Sequence, residues 1–246
     1  MNETNTDESV FATGLFTQKH AAKKLIDESR ADTDFYLFLS VALVLTTLGL
    51  LMDNAIVVVG AMLVAPILFP ILALGLGIVT ASTEAILRAL RTIGHSFIIG
   101  VAISFFVAFL IEPTSLTEIL VLLVESDLFL YFIISFGAGV VASFSWVKKD
   151  IALSLPGVAI AVSLVPPLGA VGISLALLSK TLLVSSLLLF VVNLLGVVLA
   201  SVVVFSLFNF SKIRAYQDQQ IEEEAEEIEE AREKTAEDSE ENQTVS

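Results

Sequence analysis

Residues 155–172 read LPGVAIAVSLVPPLGAVG. The stretch lies in an apolar run long enough to span a bilayer, yet it carries Pro156, Pro166 and Pro167. A proline inside a helix removes a backbone hydrogen bond and clashes with the carbonyl four residues back. In hydrocarbon the freed groups have no water to turn to, so broken backbone must be buried in protein or line a wet cavity. Such a segment is either a packing device or a site.

The same break occurs upstream. Gly60, Pro70 and Gly75 are spaced Gly-x9-Pro-x4-Gly, and Gly157, Pro167 and Gly172 repeat that spacing 97 positions later. Ala73 matches Ala170, Leu63 matches Ile160 and Leu76 matches Ile173 in the same register. The other prolines differ in place: Pro66 in the first copy, Pro166 in the second. Glycine and proline are common in membrane helices, so chance alignment competes. Three anchors in one register favour an internal duplication.

The chain has 246 residues, of which 56% are hydrophobic. Several runs of about 20 apolar residues make it an all-α, polytopic integral membrane protein with the lipid bilayer as its first partner. It has no cysteine, which excludes disulfides, thiol nucleophiles and thiolate metal sites. The first 34 residues are polar and lack the apolar core of a cleavable signal. A net charge of −14 and the lack of a basic patch exclude a nucleic-acid footprint. The acid excess fits a halophilic source, although the acidic tail accounts for much of it.

Six spans are expected. They run over about Phe35–Met52, Ala55–Val79, Ser96–Ile111, Leu128–Trp146, Ile151–Leu178 and Leu182–Phe208, with the breaks in the second and fifth. Residues 1–34 form an N-terminal segment in which Phe16–Ile26 is either a surface helix or a loose tail. Residues 35–111 are membrane repeat 1, 112–127 an extracellular loop, 128–208 membrane repeat 2, and 209–246 an acidic tail. The tail begins helical, with Ile213, Ile221, Ala225 and Ile228 at helical spacing, as a solvated charged helix or a short coiled coil joining protomers, and residues 236–246 are expected to be disordered. Residues 80–95 are too polar to span and read as a short interfacial helix. With the N-terminus inside, 12 of the 13 basic residues fall on the inner side and only Lys180 outside, so both termini are expected in the cytoplasm. Three spans per copy then make the two halves inverted repeats.

These residues resemble a known family. Residues 60–67, GAMLVAPI, preceded by Asp53-Asn54, are similar to the first signature of the domain-of-unknown-function 389 family. Residues 156–168, PGVAIAVSLVPPL, resemble its second, and Asn193-Leu194-Leu195-Gly196 resembles its Asn-Leu stretch. The resemblance covers about residues 35–210 and implies a hydrophobic protein of bacteria and archaea, with no established activity to carry over.

Catalytic residues are not expected. Neither His20 nor His95 stands at metal-ligand spacing with a carboxylate, and no cofactor is implied. His95 reads as an interfacial polar residue. No charged residue falls near the centre of an expected span, which argues against a proton-driven pump. The polar groups at depth are Thr46, Thr47, Ser163 and Asn193, with Ser104, Ser135 and Ser143 as further candidates. Half-helix ends add amides, carbonyls and dipoles without formal charge.

The expected function is a transporter or channel for an ion or small polar solute. Its path would run past Gly60, Ala65, Pro66, Pro70, Gly75, Gly157, Ser163, Pro166, Pro167, Gly172 and Asn193. The competing reading is a non-conducting structural or regulatory protein that recruits partners through its tail. Under either, Gly137, Ala138 and Gly139 offer a surface for homo-oligomerisation.

Overall fold

The computed structural model describes residues 15–112, 115–148 and 164–223. Every regular element among them is a helix. In chain order they are α1 (Leu15–Glu28), α2 (Thr33–Leu51), α3 (Ala55–Val64), α4 (Leu68–Thr80), α5 (Thr83–Ile111), α6 (Glu118–Val124), α7 (Leu128–Val147), α8 (Val165–Ala176) and α9 (Lys180–Leu207). A 3-10 turn, Phe210–Ile213, leads into α10 (214–223).

Helices α2, α5, α7 and α9 are long and apolar enough to cross a membrane, and α3 with α4 makes a fifth span if the bent pair counts as one. Ile98, Phe106, Leu110 and Phe129 stand exposed on their outer faces, a surface compatible with lipid rather than water. Short α4 and α8 are different. Residues 70–77 of α4 and 165–174 of α8 are buried on every side. A helix that is apolar all round belongs inside a bundle. Here α5 and α9 pack against both short helices, with α1 beside α4 and α2 beside α8.

The turns follow from local chemistry. Asn54 caps α3 by accepting from the amides of Ile56 and Val57. Asp53 before it takes φ 54° and accepts from the Ile119 amide, tying α6 to this turn. Ser82 caps α5 and Ser179 caps α9, again 97 positions apart. The preceding residues, Ala81 and Leu178, both adopt φ 52°. That conformation costs a side chain about 1–2 kcal/mol. A closing bond offsets it at each turn, Ser82 N to Gly77 O and Ser179 N to Ser174 O, both 3.0 Å. Glu112 and Asn209, which close α5 and α9, form a second left-handed pair at the same spacing.

Four expectations need correction. Residues 80–95 are not a separate interfacial helix: α5 runs unbroken from Thr83 to Ile111. Nothing between Ser82 and Ile111 stops a helix, and the one interior glycine before the apolar part, Gly94, is tolerated. The 112–127 connection holds a helix, α6, capped by Thr117 and held by buried Leu120 and Leu123. The N-terminal helix is neither loose nor merely on a surface. Ala21, Ala22, Leu25 and Ile26 of α1 are buried, Gln18 Nε2 donates to Phe208 O (2.8 Å), and Trp146 Nε1 donates to Ala21 O (3.0 Å). The start of the tail is docked rather than solvated. Gln217 is buried and accepts from the Thr80 hydroxyl (2.6 Å), and Asp218 accepts from Ser82. The disordered end expected at 236–246, with Ala225 and Ile228, lies outside the described residues.

Trp146 is thus the clasp of α1. Its ring also packs on Phe69 (5.6 Å between centroids) and lies under Lys24 Nζ (5.1 Å). Trp146→Phe keeps an aromatic ring there and deletes the N–H. The expected loss is about 1 kcal/mol, the usual worth of one hydrogen bond. It should read out as severalfold faster tryptic cleavage at Lys19, Lys23 and Lys24; an unchanged rate would show that the indole bond does not hold α1.

Candidate functional site

The first break is formed by Ala65, Pro66 and Ile67, where α3 and α4 meet at 53°. Ala65 sits at φ −72°, ψ 120°, the extended conformation that a following proline imposes. Pro70 occupies the first turn of α4, and Pro166 with Pro167 the first turn of α8. These three prolines start helices rather than interrupt them. First-turn amides have no acceptor within the helix, so a proline there removes nothing. It also means that the two helix starts offer fewer donors than half-helix ends usually do, although the dipoles remain. No side chain caps either start.

The remaining path candidates separate. Gly60 is exposed with open space around it and faces away from the centre. Asn193 is buried on α9. Gly157 and Ser163 lie outside the described residues. Gly75 and Gly172 are the close-contact points. A Cβ at Gly75 would overlap the Ser201 hydroxyl of α9. A Cβ at Gly172 would stand 2.5 Å from Ser104 Cβ and 2.7 Å from Phe105 N, both on α5. Gly75 and Gly172 are 97 positions apart, and so are Ser104 and Ser201. Each half therefore sets its short helix against the long helix of the other half, through the same residue types.

Ser201 escaped the sequence reading. Carrying the 97-residue register past the breaks to Ser104 would have found it.

Two pairs of hydroxyls matched by the 97-residue register differ in how they are satisfied. Ser201 donates to Val198 O and Ser143 to Gly139 O, both 2.8 Å within their own helices. Their counterparts 97 positions earlier, Ser104 and Thr46, are fully buried and have no partner among the described residues. Both flank α8: from a Cβ at Gly169, Thr46 Cγ2 would lie at 3.3 Å and Ser104 Oγ at 3.8 Å. A buried, unmade hydrogen bond costs about 1–3 kcal/mol, so two of them beside one short helix call for a reason.

The proposed oligomer surface is partly spent within the chain. Gly139 packs on α9, where its Cβ would meet Val197 Cα at 2.9 Å, and Ala138 is buried, whereas the space at Gly137 is open.

Comparison with known proteins places the chain. A family model described as a domain of unknown function (DUF389) matches residues 62–199, which include both breaks and most of the glycine contacts. An uncharacterised protein of Methanocaldococcus jannaschii is 28% identical over 181 residues, covering 72% of this chain. The chain spans 55% of that relative's length. No solved structure matches the chain. Because the family model covers more than half of its residues, the chain belongs to the DUF389 family.

Proposed function

We propose that the protein is a membrane transporter or channel for an ion or small polar solute, whose path passes the start of α8. The carrying observation is the pair of unpartnered, buried hydroxyls of Thr46 and Ser104 against that helix. A purely structural core would gain by replacing them with apolar groups. A solute path needs polar groups that stay available.

The architecture that goes with this is six spans in two inverted repeats. Five spans come from α2, α3 with α4, α5, α7 and α9. Of the sixth expected span, 151–178, α8 is the described part, and residues 151–163 lie outside the described residues. Two observations support the count and the inversion. The Gln18–Phe208 bond brings α1 and the segment after α9 to the same end of the bundle, which requires an even number of crossings. The reciprocal contacts Gly75–Ser201 and Gly172–Ser104 are what a two-fold axis between the halves produces, and three spans per half would lay that axis in the membrane plane. The distribution of basic residues supports a cytoplasmic location for the shared end.

The lack of native cysteine permits a direct test. Single cysteines at Ala65, Ser104 and Asn193, with exposed Ile98 and Leu195 as lipid-facing controls, are treated with a small membrane-impermeant thiol reagent in sealed vesicles. Labelling at the first three and not at the controls is expected. Complete protection of all three in folded protein, under every condition that changes the labelling of a surface cysteine, would leave the non-conducting reading in place.

A further inference from the structure

The first half of α5 carries Glu84, Arg88, Arg91 and His95 at spacings of four, three and four, so all fall on one stripe of the helix. Ala85, Ala89 and Ser96 of the same stretch are buried in the bundle. The charged stripe lines a cavity of about 900 Å3, whose other walls include Arg30, Tyr36 and Glu222.

Helix geometry sorts the groups along this cavity. Leu43 of α2 is level with Gly100 of α5, 3.1 Å from the place of its Cβ. Counting seven residues back on both helices, Tyr36 is level with Ile93, between Thr92 and His95. Of the carboxylates on the wall, Glu84 lies one turn further out than Arg88, Asp32 accepts from Phe35 N as the cap of α2, and Glu222 comes from α10. Arg91 and His95 make no ion pair or hydrogen bond among the described residues. Leu37 and Phe38 of α2 and Leu87 and Leu90 of α5 stand exposed beside them, as a lipid-facing rim would.

Depth adds to this, and rests on the inverted repeat proposed above. Under the 97-residue register Arg91 corresponds to Leu188 and His95 to Val192, in the outer half of an uncharged span. Arg91 and His95 then lie at hydrocarbon depth in the cytoplasmic leaflet. Charge at that depth faces a wet cavity or a counter-ion.

We propose that this cavity binds a phosphate-type oxyanion, carried on a lipid headgroup or free in solution. Arg91 presents a guanidinium fork to it, Arg88 adds charge one turn further out, and His95 and Tyr36 donate hydrogen bonds at the inner end. A planar fork matches two phosphate oxygens at once.

The test uses the full chain in neutral phosphatidylcholine nanodiscs. Inorganic phosphate is titrated by calorimetry, and retention of phosphatidylglycerol against phosphatidylcholine is read by native mass spectrometry. Arg91→Gln is expected to weaken binding about tenfold or more, as loss of a charge-assisted bond does. Glu84→Gln, which removes a negative charge from the cavity, is expected to tighten it severalfold. Arg214→Gln, outside the cavity, serves as the control. Arg91-dependent binding of phosphate alone identifies a soluble anion; Arg91-dependent retention of phosphatidylglycerol alone identifies a lipid headgroup. Phosphate displacing phosphatidylglycerol shows one site open to both. If neither ligand depends on Arg91 in variants with wild-type melting curves, the oxyanion site is wrong. Solute flux without Arg91-dependent binding would remove this site and leave transport standing; binding without flux would do the reverse.

Discussion

Gly172→Ala is expected to lower stability by about 3 kcal/mol, the upper end of the usual effect of overpacking. For a chain of this size that corresponds to a fall in melting temperature of roughly 6–12 °C. The new methyl would stand 2.7 Å from Phe105 N and 2.8 Å from Val101 O, and backbone inside a long helix cannot swing aside. Gly75→Ala meets mainly a side chain, the Ser201 hydroxyl and its Cβ at 2.8 Å, with the nearest backbone atom at 3.5 Å. Its expected loss is about 1–2 kcal/mol, within the same range. The two sites should also respond differently to relief. Ser201→Ala removes the overlapping oxygen and should restore more than half of what Gly75→Ala loses. Ser104→Ala leaves both backbone contacts and should restore little to Gly172→Ala. Melting of the two double mutants in detergent decides it. Equal rescue at both would mean that the backbone of α5 yields, and that the tight α5–α8 crossing is not rigid.

These contacts also show which parts of the molecule could be read from the chain. The glycine and proline anchors carried the duplication, because a repeated break leaves a repeated spacing whatever surrounds it. The role of each proline was harder. A proline in the first turn of a helix and one in its middle look alike inside an apolar run, and only the structure separates Pro66 at a break from Pro70, Pro166 and Pro167 at helix starts. The stretch with Glu84, Arg88 and Arg91 reads as a short interfacial helix in the sequence because polarity reports what a side chain faces, not whether the backbone is continuous. Its charges face a cavity while Ala85 and Ala89 hold the helix in the bundle. Docking of α1 and α10 had no local signal at all. It depends on Trp146, Thr80 and Ser82, which lie in other parts of the chain. Thr46 and Ser104 were visible as polar residues at depth. That they lack partners, while Thr47 and Ser143 bond to their own helices, is settled by rotamer and neighbour and has no trace in the sequence.

That last difference gives the second large effect. Thr46→Val is expected to raise stability by about 1–2 kcal/mol, because it removes a buried hydroxyl that has no partner among the described residues and keeps nearly the same shape. Thr47→Val, the same change one position on, should lower stability by about 1 kcal/mol, because the Thr47 hydroxyl donates to Leu43 O at 2.7 Å. Opposite signs at adjacent positions in thermal melting would isolate the unmade hydrogen bond from any general effect of altering α2. A loss of stability in Thr46→Val would mean that the hydroxyl is bonded in the membrane, and the reason for placing a path beside α8 would go with it. The functional arm points the other way. If the solute path uses this hydroxyl, the stabilised Thr46→Val protein should carry solute at least about tenfold more slowly, the size expected when one directed hydrogen bond to a polar solute is lost. A residue that weakens the fold and sustains flux is what selection for activity leaves in place. A residue that weakens the fold and changes nothing else would be a packing defect, and α8 would then be a structural strut between the two halves.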